Sequence, residues 1–236
     1  MDNSFGRFQE LSECSMEKKV AFIHTVVSLA ETLKKLIAEA LPQTGVFHIV
    51  DESLLQEMIS IGRLTPSIVR RLCCQVALCK EAGADLVMVC CSSISPGVDV
   101  AKKIVDIPVL KIDEPMAEKA VETGNAIGIL ATARTTLTNS SDLIKNKAKL
   151  KGRTVKIRTV LCEEAFKALL KGDKEQHDHL VKEAALELAR GTDTVVLAQA
   201  SMNHLASEIQ RETEVPILTS PPLAMAAIKS ILGIGS

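Results

Sequence analysis

Two stretches of the sequence decide the fold: GADLVMVCC, residues 83–91, and GTDTVVLAQ, residues 191–199. Each has a glycine and an aspartate followed by a short apolar run, a pattern that indicates a turn leading into a buried strand. A shift of 108 residues brings the glycine, the aspartate and a valine of one stretch onto those of the other. The three pairs are Gly83 with Gly191, Asp85 with Asp193, and Val87 with Val195. The chain therefore contains an internal repeat.

The repeat extends beyond these two stretches. The same shift places Pro108, Val109 and Leu110 on Pro216, Ile217 and Leu218, and a shift of 107 sets residues 22–25 against residues 129–132. Short β-branched runs alternate with longer stretches of helical periodicity, which is typical of βαβ units around a parallel sheet. We predict an α/β fold of two pseudosymmetric halves, each a parallel β-sheet flanked by helices, with the active-site cleft between them.

The halves are expected to span residues 18–125 and 126–236, with a strand or the final helix free to cross over. Eight strands are predicted, near residues 20–24, 46–50, 86–90, 109–112, 127–130, 154–161, 194–198 and 215–218. Ligands of parallel sheets bind outside the carboxyl ends of the strands. Two facing halves would therefore place Thr25, Cys91, Thr132 and Gln199 around one cleft.

Composition narrows the range of functions. The chain has 236 residues and 28 Lys and Arg against 29 Asp and Glu, which is too neutral for an electrostatic nucleic-acid binder. It has no Trp or Tyr, which excludes a catalytic phenol and makes base stacking unsuitable as a binding mode. The apolar runs are shorter than the ~18 residues of a membrane span, so no membrane segment is expected. The seven cysteines are an odd number and are not spaced as in a disulfide framework. This favours a reducing, cytoplasmic setting.

The segment VMVCCSSIS, residues 87–95, holds the sharpest candidate for chemistry. Side chains alternate along a strand, so Cys91 and Cys90 project to opposite faces, and Cys90 is expected to be a small buried hydrophobe. A thiol at a strand end before a helix lies near free backbone N–H groups, which predicts a lowered pKa for Cys91. Cys91 is therefore a candidate base or nucleophile, although a strand-end cysteine is also compatible with a purely structural role.

Hydroxyl side chains cluster at the predicted strand-to-helix junctions of both halves, where free backbone donors suit a small carboxylate. The same residue types also serve as ordinary N-caps. His24, beside Thr25, is the runner-up for a second acid or base. His177 and His179 begin a polar helix and are expected to be solvated. No His and Cys set has metal-ligand spacing and no glycine-rich phosphate loop is present, so neither a metal nor a nucleotide cofactor is expected.

Three segments together resemble the aspartate/glutamate/hydantoin racemase superfamily: Cys91-Ser92-Ser93, GILATARTT at residues 128–136, and LAQASM at residues 197–202. The resemblance covers nearly the whole chain from Val20 onward. It implies two pseudosymmetric α/β halves and catalysis without cofactor or metal, in which one thiol from each half moves a proton beside a carboxylate. It also implies that Cys91 holds the first catalytic position and that the chain forms a homo-oligomer.

The second half departs from the family pattern, since Leu197-Ala198-Gln199 stands where the family has Leu-Gly-Cys. An amide cannot act as an acid or base near neutral pH. The leading hypothesis is therefore racemase- or isomerase-like proton transfer on a small carboxylate by the single thiol Cys91. The alternatives are a one-cysteine decarboxylase, a type of lyase found in the family, or a non-catalytic carboxylate-binding protein. The candidate substrate-binding residues are Thr25, Ser92, Ser93, Thr132, Thr135, Gln199, Ala200 and Ser201.

Overall fold

The computed structural model describes residues 18–234, which form two parallel four-stranded sheets flanked by helices. The first sheet has the order β2-β1-β3-β4 and the second the order β6-β5-β7-β8. The strands are β1 Lys19–His24, β2 Gly45–Val50, β3 Leu86–Val89, β4 Val109–Lys111, β5 Ala126–Ala131, β6 Lys156–Leu161, β7 Thr194–Leu197 and β8 Ile217–Thr219. The predicted α/β class and all eight predicted strands are confirmed, with ends that differ by one or two residues.

Helices fill most of the connections between strands. They are α1 Val27–Ala40, α2 Glu52–Ile61, α3 Pro66–Glu81, α4 Val98–Ala101, α5 Glu114–Thr123, α6 Arg134–Leu150, α7 Glu163–Leu170, α8 Lys174–Ala189, α9 Ala206–Gln210 and α10 Ser220–Leu232. Two short 3-10 helices, Ser95–Gly97 and Ala200–Leu205, follow β3 and β7. Within residues 18–234, no helix combines the length and the apolar character that a membrane crossing requires.

The repeated residues make the same contacts in both halves. Gly83 and Gly191 both have positive φ angles, 87° and 110°, which an L side chain rarely adopts, at the turn before β3 and β7. The carboxylate of Asp85 accepts a hydrogen bond from the N–H of Lys19 at 2.8 Å, and that of Asp193 accepts one from the N–H of Ala126 at 2.8 Å. Each aspartate thereby ties the start of one strand to the start of its neighbour. The repeat in the sequence therefore corresponds to a repeat in the structure.

The prolines of the repeat also have matching roles. The carbonyl of Pro108 accepts from the N–H of Val87, and the carbonyl of Pro216 accepts from the N–H of Val195, both at 2.9 Å. Proline itself has no N–H to contribute to a ladder, so it is suited to the first position of the outer strand. These bonds set the register of β4 on β3 and of β8 on β7.

The two halves exchange a helix. Met116, Ala120 and Val121 of α5 pack into the core of the second sheet with α6, although α5 follows β4 of the first sheet. Conversely, Ala224 and Met225 of α10 pack into the core of the first sheet with α1. Each sheet is thus covered on one face by a helix that the other half supplies.

Candidate active site

The strand order places a site at the carboxyl ends of the central strands. The chain leaves β1 for β2 on one side, while β3 lies on the other side, so the connections diverge between β1 and β3. The same holds between β5 and β7 in the second sheet. Ligands of open parallel sheets bind at such a switch point.

The register of these strands sets two equivalent pairs of residues at the switch points. Ile23 pairs with Val89, so two residues further on Thr25 lies beside Cys91. Leu130 pairs with Leu197, so Thr132 lies beside Gln199. The Thr25–Cys91 pair of the first half is therefore matched by the Thr132–Gln199 pair of the second half.

The two neighbouring thiols face different parts of the core, as their alternation along the strand predicts. Val87, Val89 and Cys91 belong to the cluster formed with α2, α3 and α4, whereas Met88 and Cys90 belong to the cluster formed with α1 and α10. Cys90 is 3% exposed and Cys91 is 8% exposed. Cys90 is the buried small hydrophobe that the sequence predicts, and burial raises the pKa of its thiol.

Hydrogen-bond donors lie around Cys91 as the sequence predicts, but burial changes the pKa of its thiol more strongly in the opposite direction. Burial raises the pKa of Cys91, while the Thr25 hydroxyl and the backbone N–H groups of Ile94 and Ser93 face the sulfur and lower it. The net direction is upward from the ordinary value of 9.0, so the prediction of a lowered pKa is wrong. Desolvation disfavours the charged thiolate more than these donors favour it. Cys91 therefore rests as a neutral thiol at neutral pH.

Gln199 is held in a single orientation by Thr132. Its Oε1 accepts hydrogen bonds from the backbone N–H of Thr132 at 2.5 Å and from the Thr132 hydroxyl at 3.0 Å. A backbone N–H can only donate, so the amide oxygen must face Thr132 and the NH₂ group must face away. Among residues 18–234, no side chain or carbonyl accepts a hydrogen bond from this NH₂ group. The NH₂ of Gln199 is therefore available to a ligand.

The hydroxyls predicted to hold a carboxylate are partly engaged with one another. The hydroxyls of Ser93 and Thr135 share a hydrogen bond of 3.2 Å between the two halves. The side-chain amide of Asn139 donates to the carbonyl of Ser92 at 2.9 Å and to that of Ser93 at 3.1 Å. No motif in the sequence indicates Asn139. The signal that could have found it is its position, four residues after Thr135 and thus on the same face of α6.

The remaining candidates lie on the segment after β7. Ala200 is partly buried and packs against the apolar cluster of the first sheet, so this segment contacts the first half. Ser201 is exposed, and its carbonyl shares a hydrogen bond with Nδ1 of His204 at 3.0 Å. Thr25, Ser93 and Thr132 are all buried. Ser92, Thr135 and Gln199 are partly exposed, so the junction contains both buried and accessible polar side chains.

The structure does not bring His24 to Cys91. His24 is fully buried beside Phe22, and its Nε2 shares a hydrogen bond of 3.0 Å with Nδ1 of His48. Phe22 and Cys90 belong to the α1–α10 side of the sheet, whereas Cys91 belongs to the other side. Burial, followed by the charges of His48 and Lys34, lowers the pKa of His24 to about 4. His24 is therefore a neutral core residue at pH 7.

Two further polar residues are buried. Asp113, two residues after the end of β4, is 1% exposed, and its Oδ1 accepts from the Ser95 hydroxyl at 3.1 Å. Burial raises the pKa of Asp113, and its charge in turn raises that of Cys91. His177 is buried against Asp178 rather than solvated, so that prediction is wrong. Within the described part of the chain, no three His, Cys, Asp or Glu side chains are grouped to hold a metal ion.

Comparison with known proteins gives one family. The family model described as Asp/Glu/Hydantoin racemase matches residues 22–228. A hydantoin racemase from Rhizobium meliloti is 24% identical over 155 residues, which span 65% of this chain and 62% of that relative. The chain thus matches less than two thirds of that relative's length.

Solved structures share the fold at lower sequence identity. An allantoin racemase from Klebsiella pneumoniae superimposes with a TM-score of 0.70 at 18% identity, covering 93% of this chain and 89% of that one. A putative Asp/Glu racemase from Yersinia pestis superimposes with a TM-score of 0.75 at 15% identity, covering 91% and 98%. Because the family model extends over nearly the whole described chain, the chain belongs to the Asp/Glu/Hydantoin racemase family.

Proposed function

We propose that this chain is a cofactor-independent enzyme that transfers a proton at the carbon next to a carboxylate or carbonyl, with Cys91 as its single proton-carrying thiol. The observation that carries the proposal is the pairing at the two switch points. The position matched to Cys91 holds Gln199, whose side chain cannot carry a proton. A racemase that used one thiol from each half would lack its second thiol here.

The state of Cys91 defines the direction of the proton transfer. A thiol whose pKa is raised by burial is neutral at pH 7, and it can therefore give its proton to a carbanion or enediolate. The thiolate form of Cys91 first takes the proton of the substrate carbon, so that the C–H bond breaks, the S–H bond forms and the electron pair moves into the enediolate. The thiol then exchanges its proton with solvent and returns one to the same face, so that the S–H bond breaks, the C–H bond forms again and the sulfur is again a thiolate. The N–H groups of Ser93 and Ile94 and the hydroxyl of Thr25 face this sulfur and would stabilise the thiolate until water returns the proton.

Gln199 is proposed to hold the substrate rather than to react with it. Its NH₂ group faces away from Thr132 and is suited to donate to a carboxylate or carbonyl oxygen. Fixing the amide oxygen on two donors pre-orients that NH₂ group before the substrate arrives. Stabilising negative charge on the substrate oxygen lowers the cost of forming the enediolate.

The class of substrate that we propose is based on the names of the relatives. The relatives are called hydantoin, allantoin, glutamate and aspartate racemases. We infer a small carboxylate or cyclic amide with an acidic C–H next to a carbonyl. The cysteine composition supports a cytoplasmic location, and a homo-oligomer remains a prediction drawn from the family.

The test uses both enantiomers of glutamate, aspartate, allantoin and a 5-substituted hydantoin, each incubated with the protein in D₂O and followed by NMR and chiral chromatography. The expected result is deuterium at the reacting carbon of one enantiomer only, with its configuration retained, because a single thiol reaches one face. Cys91→Ala should remove the exchange. A racemic, fully deuterated product would contradict the one-thiol mechanism, and specific binding without exchange would favour a carboxylate-binding protein.

Restoring a thiol to the second half is the complementary experiment. Gln199→Cys should introduce racemisation of the substrate that shows one-sided exchange, provided that the new sulfur lies within about 3.5 Å of the reacting carbon. Gln199→Ala is the matched control, because it removes the amide without adding a proton carrier. Equal racemisation by Gln199→Cys and Gln199→Ala would show that the new thiol is not responsible.

A further inference from the structure

One side chain of the second half holds two consecutive peptide groups of the first half. Nδ2 of Asn139 donates to the carbonyl of Ser92 at 2.9 Å and to the carbonyl of Ser93 at 3.1 Å. Asn139 lies in the second turn of α6, and its two acceptors lie in the turn directly after Cys91. A single NH₂ group from one half therefore anchors the turn that follows the candidate catalytic thiol of the other half.

These two peptide groups are the ones whose N–H groups face the sulfur. The Ser92 carbonyl shares a planar peptide group with the N–H of Ser93, and the Ser93 carbonyl shares one with the N–H of Ile94. In a trans peptide the C=O and N–H point in opposite directions, and residues 18–234 contain no cis peptide. Holding both carbonyls towards α6 therefore directs both N–H groups away from α6, towards Sγ of Cys91.

A second contact from the same helix face supports the same turn. Thr135 lies one turn before Asn139 on α6, and its hydroxyl shares the 3.2 Å hydrogen bond with the hydroxyl of Ser93. The N–H of Ile94 also donates to the Cys91 carbonyl at 3.2 Å, which closes the turn locally. The local bond shapes the turn, and the contacts from α6 set how it is oriented between the halves.

We propose that Asn139 is a positioning residue that couples thiolate formation at Cys91 to closure of the two halves. When α6 lies against residues 92–94, both N–H groups are fixed at the sulfur; when the halves separate to admit a ligand, the carbonyls lose their anchor and the N–H groups lose their fixed direction. The thiolate is then stabilised only in the closed state. This inference rests on the role proposed for Cys91 but does not depend on the identity of the substrate.

The charged and titratable groups around Cys91 are few. Asp113 acts on Cys91 through its charge, and Cys90 is the neighbouring thiol on the other face of the strand. Neither of them is hydrogen-bonded to Asn139, which contacts the two carbonyls. Replacing Asn139 by an apolar residue therefore leaves both groups in place and changes only the support of the turn.

The experiment measures the pH dependence of alkylation at Cys91 by iodoacetamide, resolved from the other cysteines by peptide mass spectrometry. Asn139→Leu removes the NH₂ donor and keeps a branched side chain. Asn146→Leu is the matched control, because Asn146 is an exposed asparagine on the same helix. The midpoint for Cys91 should rise by about one pH unit in Asn139→Leu and stay unchanged in Asn146→Leu.

A second variant distinguishes the loss of the Asn139 contact from misfolding. Asn139→Ala tests the same loss without the bulk of leucine, and circular dichroism together with unchanged alkylation of Cys79 reports that the fold is intact. Equal midpoints in folded Asn139→Leu, Asn139→Ala and Asn146→Leu would overturn the inference. Alkylation requires no turnover, so a shifted midpoint in a protein that shows no proton exchange would leave the coupling standing and contradict the proposed function instead.

Discussion

The contact of the buried His24 with the half-buried His48 predicts a specific weakening of the fold in mild acid. Burial lowers the pKa of His24 from 6.5 to about 4 in the folded chain, so the unfolded chain binds this proton more tightly. The stability that depends on neutral His24 is therefore present above pH 6.5 and is lost as the pH falls towards 4. With about 1.36 kcal/mol per pKa unit, the loss amounts to about 2 kcal/mol between pH 7 and pH 5 and about 3 kcal/mol at pH 4.

The measurement is urea unfolding followed by far-UV circular dichroism at pH 7, 6 and 5. His24→Phe replaces the titrating ring by an aromatic ring that cannot be protonated, next to Phe22. The free energy of unfolding of this variant should lose about 2 kcal/mol less than that of the unmodified protein over this range. His179→Phe is the control, because His179 is exposed. If His24→Phe and the unmodified protein weaken in parallel, His24 is not held neutral, and a proton-carrying role for it would have to be reconsidered.

Three further substitutions test the site and the core. Cys91→Ala should abolish proton exchange while the melting temperature stays within a few degrees, because it removes a single atom from the core. Cys90→Ser should lower the melting temperature and leave exchange intact. The opposite assignment would mean that the other sulfur is catalytic. Gly128→Ala should destabilise the fold by about 1–3 kcal/mol in urea unfolding, because the new Cβ would lie 2.7 Å from Cγ of Leu188. An unchanged midpoint would mean that α8 can shift away from β5 without cost.

The sequence predicts the fold well because the repeated glycines and aspartates set the conformation or the hydrogen bonds of the backbone. Gly83 and Asp85, and their partners Gly191 and Asp193, each form a turn or a strand-start contact that depends on one neighbouring strand. Such contacts need a particular residue type at a particular place, so they leave a visible pattern. The alternation that separates Cys91 from Cys90 is equally local and is confirmed.

The missed features depend on contacts between distant elements. The raised pKa of Cys91 comes from burial against α2, α3 and α4, and the strand-end pattern contains no measure of it. Asn139 and Asp113 look like ordinary residues of a helix and a loop until their partners are known. His24 was placed near the cleft from its position at a strand end, but the parity of the strand turns its ring to the other face of the sheet.

The exchange of α5 and α10 has a consequence for synthesis of the chain. The first sheet is complete once β4 has formed, but the face that α1 covers in part is completed only when α10, at residues 220–232, has been made. At ribosomal rates the intervening residues take on the order of 5–20 s to appear. During that interval the nascent first half exposes part of the face formed by Val20, Phe22 and Met88, which is the kind of surface that chaperones bind.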